Sequence, residues 1–435
     1  MKCWEVIILE TFVNFDDCKC FSAIKISLKP TEEQENQFWQ CCGIRRFAYN
    51  WGIFTVESDY ENGKKSVDCG ELLRRLTKEK KENPDFAFLK DRSCDIAKQA
   101  IKDLCDSYSR FFDMQKEENY QKFTKKTIEH AERVGKELTR IDMNGHPKPK
   151  CKKNSKKDSF YLDWYQLEIG ENFIKIPKIG KVLTRNSHRG LQTFPLKERG
   201  NYPKMTNCTI YFDGKYWILS ASFEFYPEEN DEPRTEPIGV DLGIKETAIC
   251  SDGTIFSNIN KSKKVRLLKK KKKRLQRKLS RKLRMNKGSK MSKNAKKLKN
   301  KIRRTDRKLT NIRENYRHQL TNKIVKRNPS FIVLENLNTK GMMKNRHLSE
   351  KIQEQGWFYI STYLQQKCKR KFIKLLKVDT FYPSSKICQK CGNIHKNLKL
   401  SDRTFVCPVC NFTQDRDLNA AINLKNYGLK LLQTQ

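Results

Sequence analysis

The 435-residue chain carries 91 Lys and Arg against 50 Asp and Glu, a formal net charge of +41. A surplus of that size selects a polyanion as partner, nucleic acid first and an anionic membrane surface second. The 24 Phe, 15 Tyr and 6 Trp exclude a merely disordered basic chain, no run of about 18 apolar residues is present to span a membrane, and the length predicts two or three domains.

The opening MKCWEVIILETF holds Glu5 and Glu10 and lacks a small-residue cleavage site, so it reads as a strand rather than a signal peptide. AIKISL, from Ala23 to Leu28, alternates apolar and polar residues as a strand does and stops at Pro30. Thr31 and Gln34 have capping-box spacing and open a helix carrying Phe38 and Trp39. Gly43 is expected to break that helix before Ile44, Phe47, Ala48 and Trp51 resume the pattern. Charged amphipathic helices continue to about Phe123, which predicts a helical domain inserted after a single strand.

The texture changes at Gly145. A basic, Pro-containing loop leads into FYLDWYQLEI, NFIKIPKIGKV and NCTIYFDGKYWILSASFEF, the last with Asp213-Gly214 between two β-rich runs as a hairpin signal. These strands and the first one predict a small split β-barrel, and acidic, Pro-rich Pro227 to Pro237 a linker. PIGVDLGIKETAICSDGTIF then reads as a buried strand turning back at Ser251-Asp252-Gly253. A Lys/Arg-dominated stretch follows from Lys261 to about Arg317, broken near Gly288, with Leu267, Leu268, Leu275, Leu279 and Leu283 as a thin apolar seam. FIVLENL is a strand, Gln353 to Arg370 one helix, FIKLLKVD a strand, and a closing helix follows the last cysteines. Strands and helices in this order imply an α/β sheet domain.

Three groups of residues carry chemistry. Cys388 and Cys391 are followed by Cys407 and Cys410, two Cys-x2-Cys knuckles 15 residues apart, the spacing of a closed tetrahedral zinc site with a structural role. The other cysteines, among them Cys41, Cys42 and Cys105, read as buried thiols of a reducing, intracellular protein, with Cys18 and Cys20 a lesser candidate metal pair. Asp241 stands inside an apolar strand, Glu335 ends another, and Asp417 opens a helix, with Asp415 as the alternative to it. An ionised side chain in such a strand is costly without a partner or a metal. Carboxylates gathered in a basic groove suit two hard divalent cations and phosphodiester chemistry. Finally, 26 of the 48 residues from Lys261 to Lys308 are Lys or Arg, a ridge for sequence-independent phosphate contacts that include Lys269, Lys273, Arg274, Arg277 and Arg281. No Walker loop, HExxH or GxSxG competes with these.

The motifs GVDLGIKETAICSDG, IVLENLNTKGMMKN, EQGWFYI, FYPSSKICQKCG and CPVCNFTQDRDLNAAINL occur in that order. Together they resemble the TnpB family of transposon-encoded RNA-guided DNA endonucleases and the compact type V CRISPR effectors, from about Ala23 to Tyr427. The resemblance implies a multidomain α+β protein in consecutive parts. Residues 1–29 and 129–234 form a split wedge β-barrel, with 30–128 a helical recognition domain between them. Residues 235–383 form a RuvC-like, RNase-H-type nuclease domain with long basic helices over 261–317. A zinc module follows at 384–413, and 414–435 is the last RuvC helix. It implies that Asp241, Glu335 and Asp417 are catalytic and hold two Mg2+ ions, with Mn2+ as substitute, supported by Arg416 and Asn419, and that one Zn2+ sits on the four cysteines. It implies a guide RNA and a double-stranded DNA target as partners, no membrane, a monomer on each guide RNA, and a cytoplasmic, nucleoid-associated protein. Lys98 and Gln99 are where a short motif beside the target would be read. The rivals are a catalytically silent RNA-guided DNA-binding repressor and a zinc-ribbon RNA-binding protein, with a strand-transferring transposase further off.

Overall fold

The computed structural model describes residues 20–64, 66–116, 118–133, 135, 140–152, 158–170, 172–185, 204–225, 233–285, 291–380, 382–399 and 402–433. The opening MKCWEVIILETF, Cys18 of the Cys18/Cys20 pair, Gly288 and most of the Pro227 to Pro237 segment lie outside them. The chain divides into two compact units, Ser22–Glu224 and Phe225–Gln435 with the first residues of the chain. None of the described helices is long and apolar enough to cross a membrane.

The first unit is a seven-stranded sheet with helices. Its strands are β1 (Cys20–Lys29), β2 (Ser159–Leu162), β3 (Glu168–Ile169), β4 (Phe173–Ile176), β5 (Gly180–Thr184), β6 (Lys204–Phe212) and β7 (Trp217–Phe225), in the order β2-β6-β7-β1-β5-β4-β3. The first strand therefore sits in the middle, joined to the later ones as its alternation predicts, with Ile26 and Leu28 buried. The order is linear and ends on β2 and β3. Asp213-Gly214 does turn the β6–β7 hairpin, and the Asp213 carboxylate accepts the Lys215 and Tyr216 amides at 2.9 and 2.8 Å.

Four helices follow β1: α1 (Glu32–Glu61), α2 (Cys69–Glu82), α3 (Cys94–Gln115) and α4 (Glu118–Arg133). Thr31 and Gln34 form the predicted capping box. Gly43, however, does not end the helix: α1 runs unbroken through it for 30 residues. A lone glycine costs about 1 kcal/mol, less than the burial of Phe38, Cys41, Ile44, Ala48 and Ile53 along the same helix contributes. Gly52 has a packing reason, because a Cβ there would meet Leu104 Cδ2 of α3 at 2.5 Å.

The second unit is built on a five-stranded sheet, β8 (Ile238–Asp241), β9 (Glu246–Cys250), β10 (Ile255–Ser257), β11 (Phe331–Glu335) and β12 (Lys374–Val378), in the order β10-β9-β8-β11-β12. β8, β9 and β10 form an antiparallel meander, while β8, β11 and β12 run parallel. The stretch read as one returning strand thus turns twice. Between β10 and β11 stand two long helices, α5 (Lys263–Met285) and α6 (Lys293–Val325), packed against each other. Their seam includes Val265, Leu275, Ala295 and Leu309. Leu267 and Leu283, expected on it, are 57% and 42% exposed: Val265, Leu268, Leu275 and Leu279 follow the heptad period, and those two fall outside it.

After β11 come α7 (Thr339–Met342), α8 (Arg346–Gln355) and α9 (Trp357–Arg370). The single helix expected over Gln353 to Arg370 is broken at Gly356, whose φ of +64° is left-handed. The buried Arg317 guanidinium fills the space a side chain at 356 would need, and donates to the Gln355 and Glu354 carbonyls, both at 2.9 Å. Two short strands, β13 (Thr404–Val406) and β14 (Thr413–Asp415), and the helix α10 (Arg416–Gln433) complete the unit. Val240, Ile332 and Leu334 on one face of the sheet pack with Leu320, Ile324, Trp357, Ile360 and Leu364. Phe331 and Val333 on the other pack with Leu424 of α10.

Candidate nuclease centre and metal sites

The position of the acids follows from strand register. Leu334 of β11 lies opposite Val240 of β8 in parallel pairing, so Glu335 and Asp241, the next residues, end neighbouring strands at one level, where chains stand about 4.8 Å apart. Alternation puts Asp241 on the face of Gly239 and Glu335 on the face of Val333. That is the face α10 covers. The helix approaches so closely at Gly239 that a Cβ there would meet the Ala421 carbonyl at 2.0 Å, and Gly428 makes a similar approach to Val333. Asp417 lies one turn before Ala421 on the same side of the helix. Close backbone packing at Gly239 therefore delivers Asp417 to the strand ends, the crevice where open α/β sheets place ligands.

Electrostatics agree with this geometry. Asp241, partly buried, has its pKa raised well above the ordinary value, first by burial, then by Glu335 and Asp417, with Arg416 opposing and Asp415 adding a smaller push. Glu335 is also raised, by burial, against a hydrogen bond from Ser384 Oγ at 3.2 Å that lowers it. Arg416 donates to Asp417 Oδ1 through Nη2 at 3.0 Å and Nε at 3.2 Å, and Arg403 Nη1 lies 3.9 Å from Asp417 Oδ2. The two neighbouring acids divide their roles. Asp415 Oδ1 accepts the amides of Asp417 and Leu418, both at 3.0 Å, and so caps α10. Asp417 has no part in that cap: its carboxylate accepts from Arg416 and acts electrostatically on Asp241.

The four cysteines meet. Their sulfurs all lie within 4.8 Å of one another, with Cys388 to Cys410 at 3.7 Å and Cys391 to Cys407 at 3.5 Å. Tetrahedral zinc with bonds of about 2.3 Å separates its thiolates by about 3.8 Å, so the set fits that ion. The knuckles repeat each other. Gly392 and Asn411 take φ of +74° and +55°, and return their amides to the Cys388 and Cys407 carbonyls at 2.8 and 3.1 Å. Within the cluster the Cys410 amide foremost lowers the Cys407 thiol to about 6, while Cys391, despite the Asn393 amide, is raised to about 12 by desolvation and its sulfur neighbours. Away from the cluster, burial pushes Cys41 and Cys42 up to about 12, where they remain thiols. His395 sits edge-on to Phe405 of the same small core.

Other expected site residues are placed differently. Asn419 is fully buried, donating to the Ile387 carbonyl at 2.7 Å and accepting the Gln389 amide at 3.3 Å, so its amide serves the loop entering the first knuckle. Lys269 is taken up by Glu354 at 2.5 Å and Glu350 at 3.2 Å, while Lys273, Arg274, Arg277 and Arg281 stand exposed on α5. Lys98 is exposed, and Gln99 donates to Asp103 at 3.0 Å. Ser384 and Asn423, which the sequence does not single out, join this group through Glu335 and the same loop. The signal was faint: two Asn at i and i+4 on a helix face otherwise made of Leu and Ala.

Three families match parts of the chain. A family described as "Probable transposase" matches residues 220–346, and one described as "Cas12f1-like, TNB domain" matches 357–424. One described as "Helix-turn-helix domain" matches 22–65, where the fold has β1 and the uninterrupted α1. Along most of its length the chain is 28% identical to "Putative RNA-guided DNA endonuclease InsQ" of Escherichia coli (strain K12), covering 95% of this chain and 94% of that one. It is 26% identical to a relative from Streptomyces pristinaespiralis that bears the same description without the final name, covering 94% and 89%. A solved Cas12f1–sgRNA–target DNA complex aligns with a TM-score of 0.44 at 14% identity, over 94% of this chain and 99% of that one.

Proposed function

The chain belongs to the TnpB family, which is related to the type V effectors, and from that premise we propose that it is an RNA-guided DNA endonuclease. The observation carrying the proposal is that Asp241 and Glu335 follow directly on paired residues of adjacent parallel strands while Asp417, at the start of the helix laid over them, acts electrostatically on Asp241, in a chain of net charge +41. The β8–β9–β10 meander with β11 and β12 parallel beside it, covered on both faces, supports a RuvC-like, RNase-H-type nuclease domain. The seven-stranded sheet with β1 at its middle supports a split wedge barrel holding a helical recognition domain between its parts.

In this reading the three carboxylates hold two divalent cations, Mg2+ or Mn2+. When bound, such ions lower the pKa of an attacking water and stabilise the leaving oxygen of a phosphodiester. Asp241 and Glu335 shed the protons that burial and mutual repulsion favour, which makes cation affinity rise with pH. Arg416 keeps Asp417 oriented at the rim. With one acid cluster, the two DNA strands are cut in turn. The four cysteines hold zinc in a closed shell that leaves no place for a substrate, so that ion supports structure. Lys273, Arg274, Arg277 and Arg281 contact phosphates irrespective of sequence. Guide-RNA pairing supplies sequence choice, and in this reading Lys98 and Gln99 read a target-adjacent motif.

The test is to sequence the RNA that co-purifies with the protein, then offer DNA matching its variable end in the presence of Mg2+. One scaffold with a variable end, and cutting of the matched DNA, is expected. A random RNA mixture rules out guiding. Guided binding without cutting in either cation assigns the chain to the silent repressors, and defined RNA with no DNA target makes it a zinc-ribbon RNA binder.

A further inference from the structure

We propose that Ser384 is a positioning residue for Glu335, locked in place by Asn419 and Asn423 of α10, an inference that rests on the endonuclease reading. Ser384 lies between β12 and the first knuckle, four residues before Cys388 and 3% exposed. Its Oγ donates to Glu335 Oε1 at 3.2 Å, its amide to the Tyr382 carbonyl at 2.9 Å, and its carbonyl accepts Asn423 Nδ2 at 2.8 Å. At the other end of the loop the Ile387 carbonyl accepts from both Asn419 Nδ2, at 2.7 Å, and Asn423 Nδ2, at 2.6 Å.

Two buried amides on an otherwise apolar helix face are costly unless paired. Here both are paired, and with the same short loop. That fixes the loop against α10 within hydrogen-bond tolerance, and the loop has two things to deliver: the Ser384 hydroxyl to Glu335, and the Cys388 sulfur to its cluster. Asn419 and Asn423 lie just beyond Asp417 on the same helix, so α10 presents one acid directly and orients a second through Ser384. Partners of this kind, behind a ligating carboxylate, typically set metal affinity or activity by about 10–100-fold.

The experiment compares Ser384→Ala, Ser384→Cys and Ser384→Thr in the full chain with its RNA. The Cys variant keeps the volume but is a poor donor, and the Thr variant keeps the hydroxyl. Zinc content and guided DNA binding should match the parent in all three. For Ala and Cys, cleavage should slow about 10–100-fold, and about tenfold more Mn2+ should be needed to raise the thermal midpoint without DNA; Thr should stay near the parent. If Ala loses zinc and misfolds, Cys decides the question. Parental cleavage and Mn2+ response in the Ala and Cys variants overturn the proposal, as does equal loss in all three, which marks a packing position. A parent that responds to Mn2+ but never cuts defeats the endonuclease reading while the Mn2+ comparison still decides Ser384. A parent without any Mn2+ response defeats both.

Discussion

The four thiols and the three carboxylates share one unit, and Asp417 follows closely on Cys410 in sequence, yet the two groups are built on opposite plans. The thiols are assembled by two self-similar turns whose amides return to the carbonyls of Cys388 and Cys407, around a small private core of Cys388, Phe405 and Cys407. All four ligands of that site come from one short segment, which Asn419 and Asn423 tie to α10. The carboxylates come from three distant parts of the chain, brought together by strand register and a glycine-sized gap. Glu335 and Asp417 add to burial in raising the pKa of Asp241, so the fold holds like charges near one another. A cluster drawn from one segment is shaped by its own turns; one drawn from three depends on long-range packing.

The largest way to break this comparison is Asp241→Ala. Losing a cation-holding acid removes several kcal/mol of transition-state stabilisation, so cleavage should fall by about a thousandfold or more, with guided DNA binding unchanged in a filter assay. Cys407→Ser should act on the other site: zinc content falls to near zero, residues 384–413 become protease-sensitive, and cleavage drops about 10–100-fold because the Ser384 loop is released. Gly239→Ala tests the long-range plan alone. Its methyl would collide with the Ala421 carbonyl, and an overpacked core typically loses about 1–3 kcal/mol, read as a lower thermal midpoint with zinc content intact.

Smaller effects sharpen the contrast at the surface and with pH. Replacing Lys273 and Arg277 by Gln should lower RNA affinity evenly across sequences. It should also flatten the slope of log affinity against log salt by about 1.4, since each single-strand phosphate left unneutralised accounts for roughly 0.7. The metal-free protein should lose stability as pH rises from the ordinary carboxylate range toward neutrality. Asp241 and Glu335 have folded pKa values above their unfolded ones, so the folded state binds more protons there and deprotonation favours unfolding. Denaturant melts across pH check the direction, and Asp241→Asn should flatten the dependence.

What the sequence reveals follows the same division. The zinc knuckles are legible because their spacing is local, and the hairpin at Asp213-Gly214 and the capping box at Thr31 for the same reason. Asp241 and Glu335 stand out as acids within apolar runs. Local signals mislead where packing overrules them: Gly43 inside α1 is outweighed by the buried face around it, and Gly356 breaks a helix only because Arg317 occupies the space beside it. Ser384 and Asn423 give no local sign, since a hydroxyl or amide acquires its role from a partner many residues away. Lys269 looks like its basic neighbours until Glu350 and Glu354 are seen against it.

The central place of β1 has a consequence for biosynthesis. Its partners β5 and β7 begin at Gly180 and Trp217, so the strand emerges from the ribosome long before either exists. The intervening helices can form early from local interactions, but the sheet must await about two hundred residues of translation, at roughly 5–20 residues per second. During those seconds an apolar strand with unpaired amides is a template for wrong pairing. Expression of this protein should therefore depend on protecting the nascent chain until β7 is made, and a slower or chaperone-assisted synthesis should raise the soluble yield.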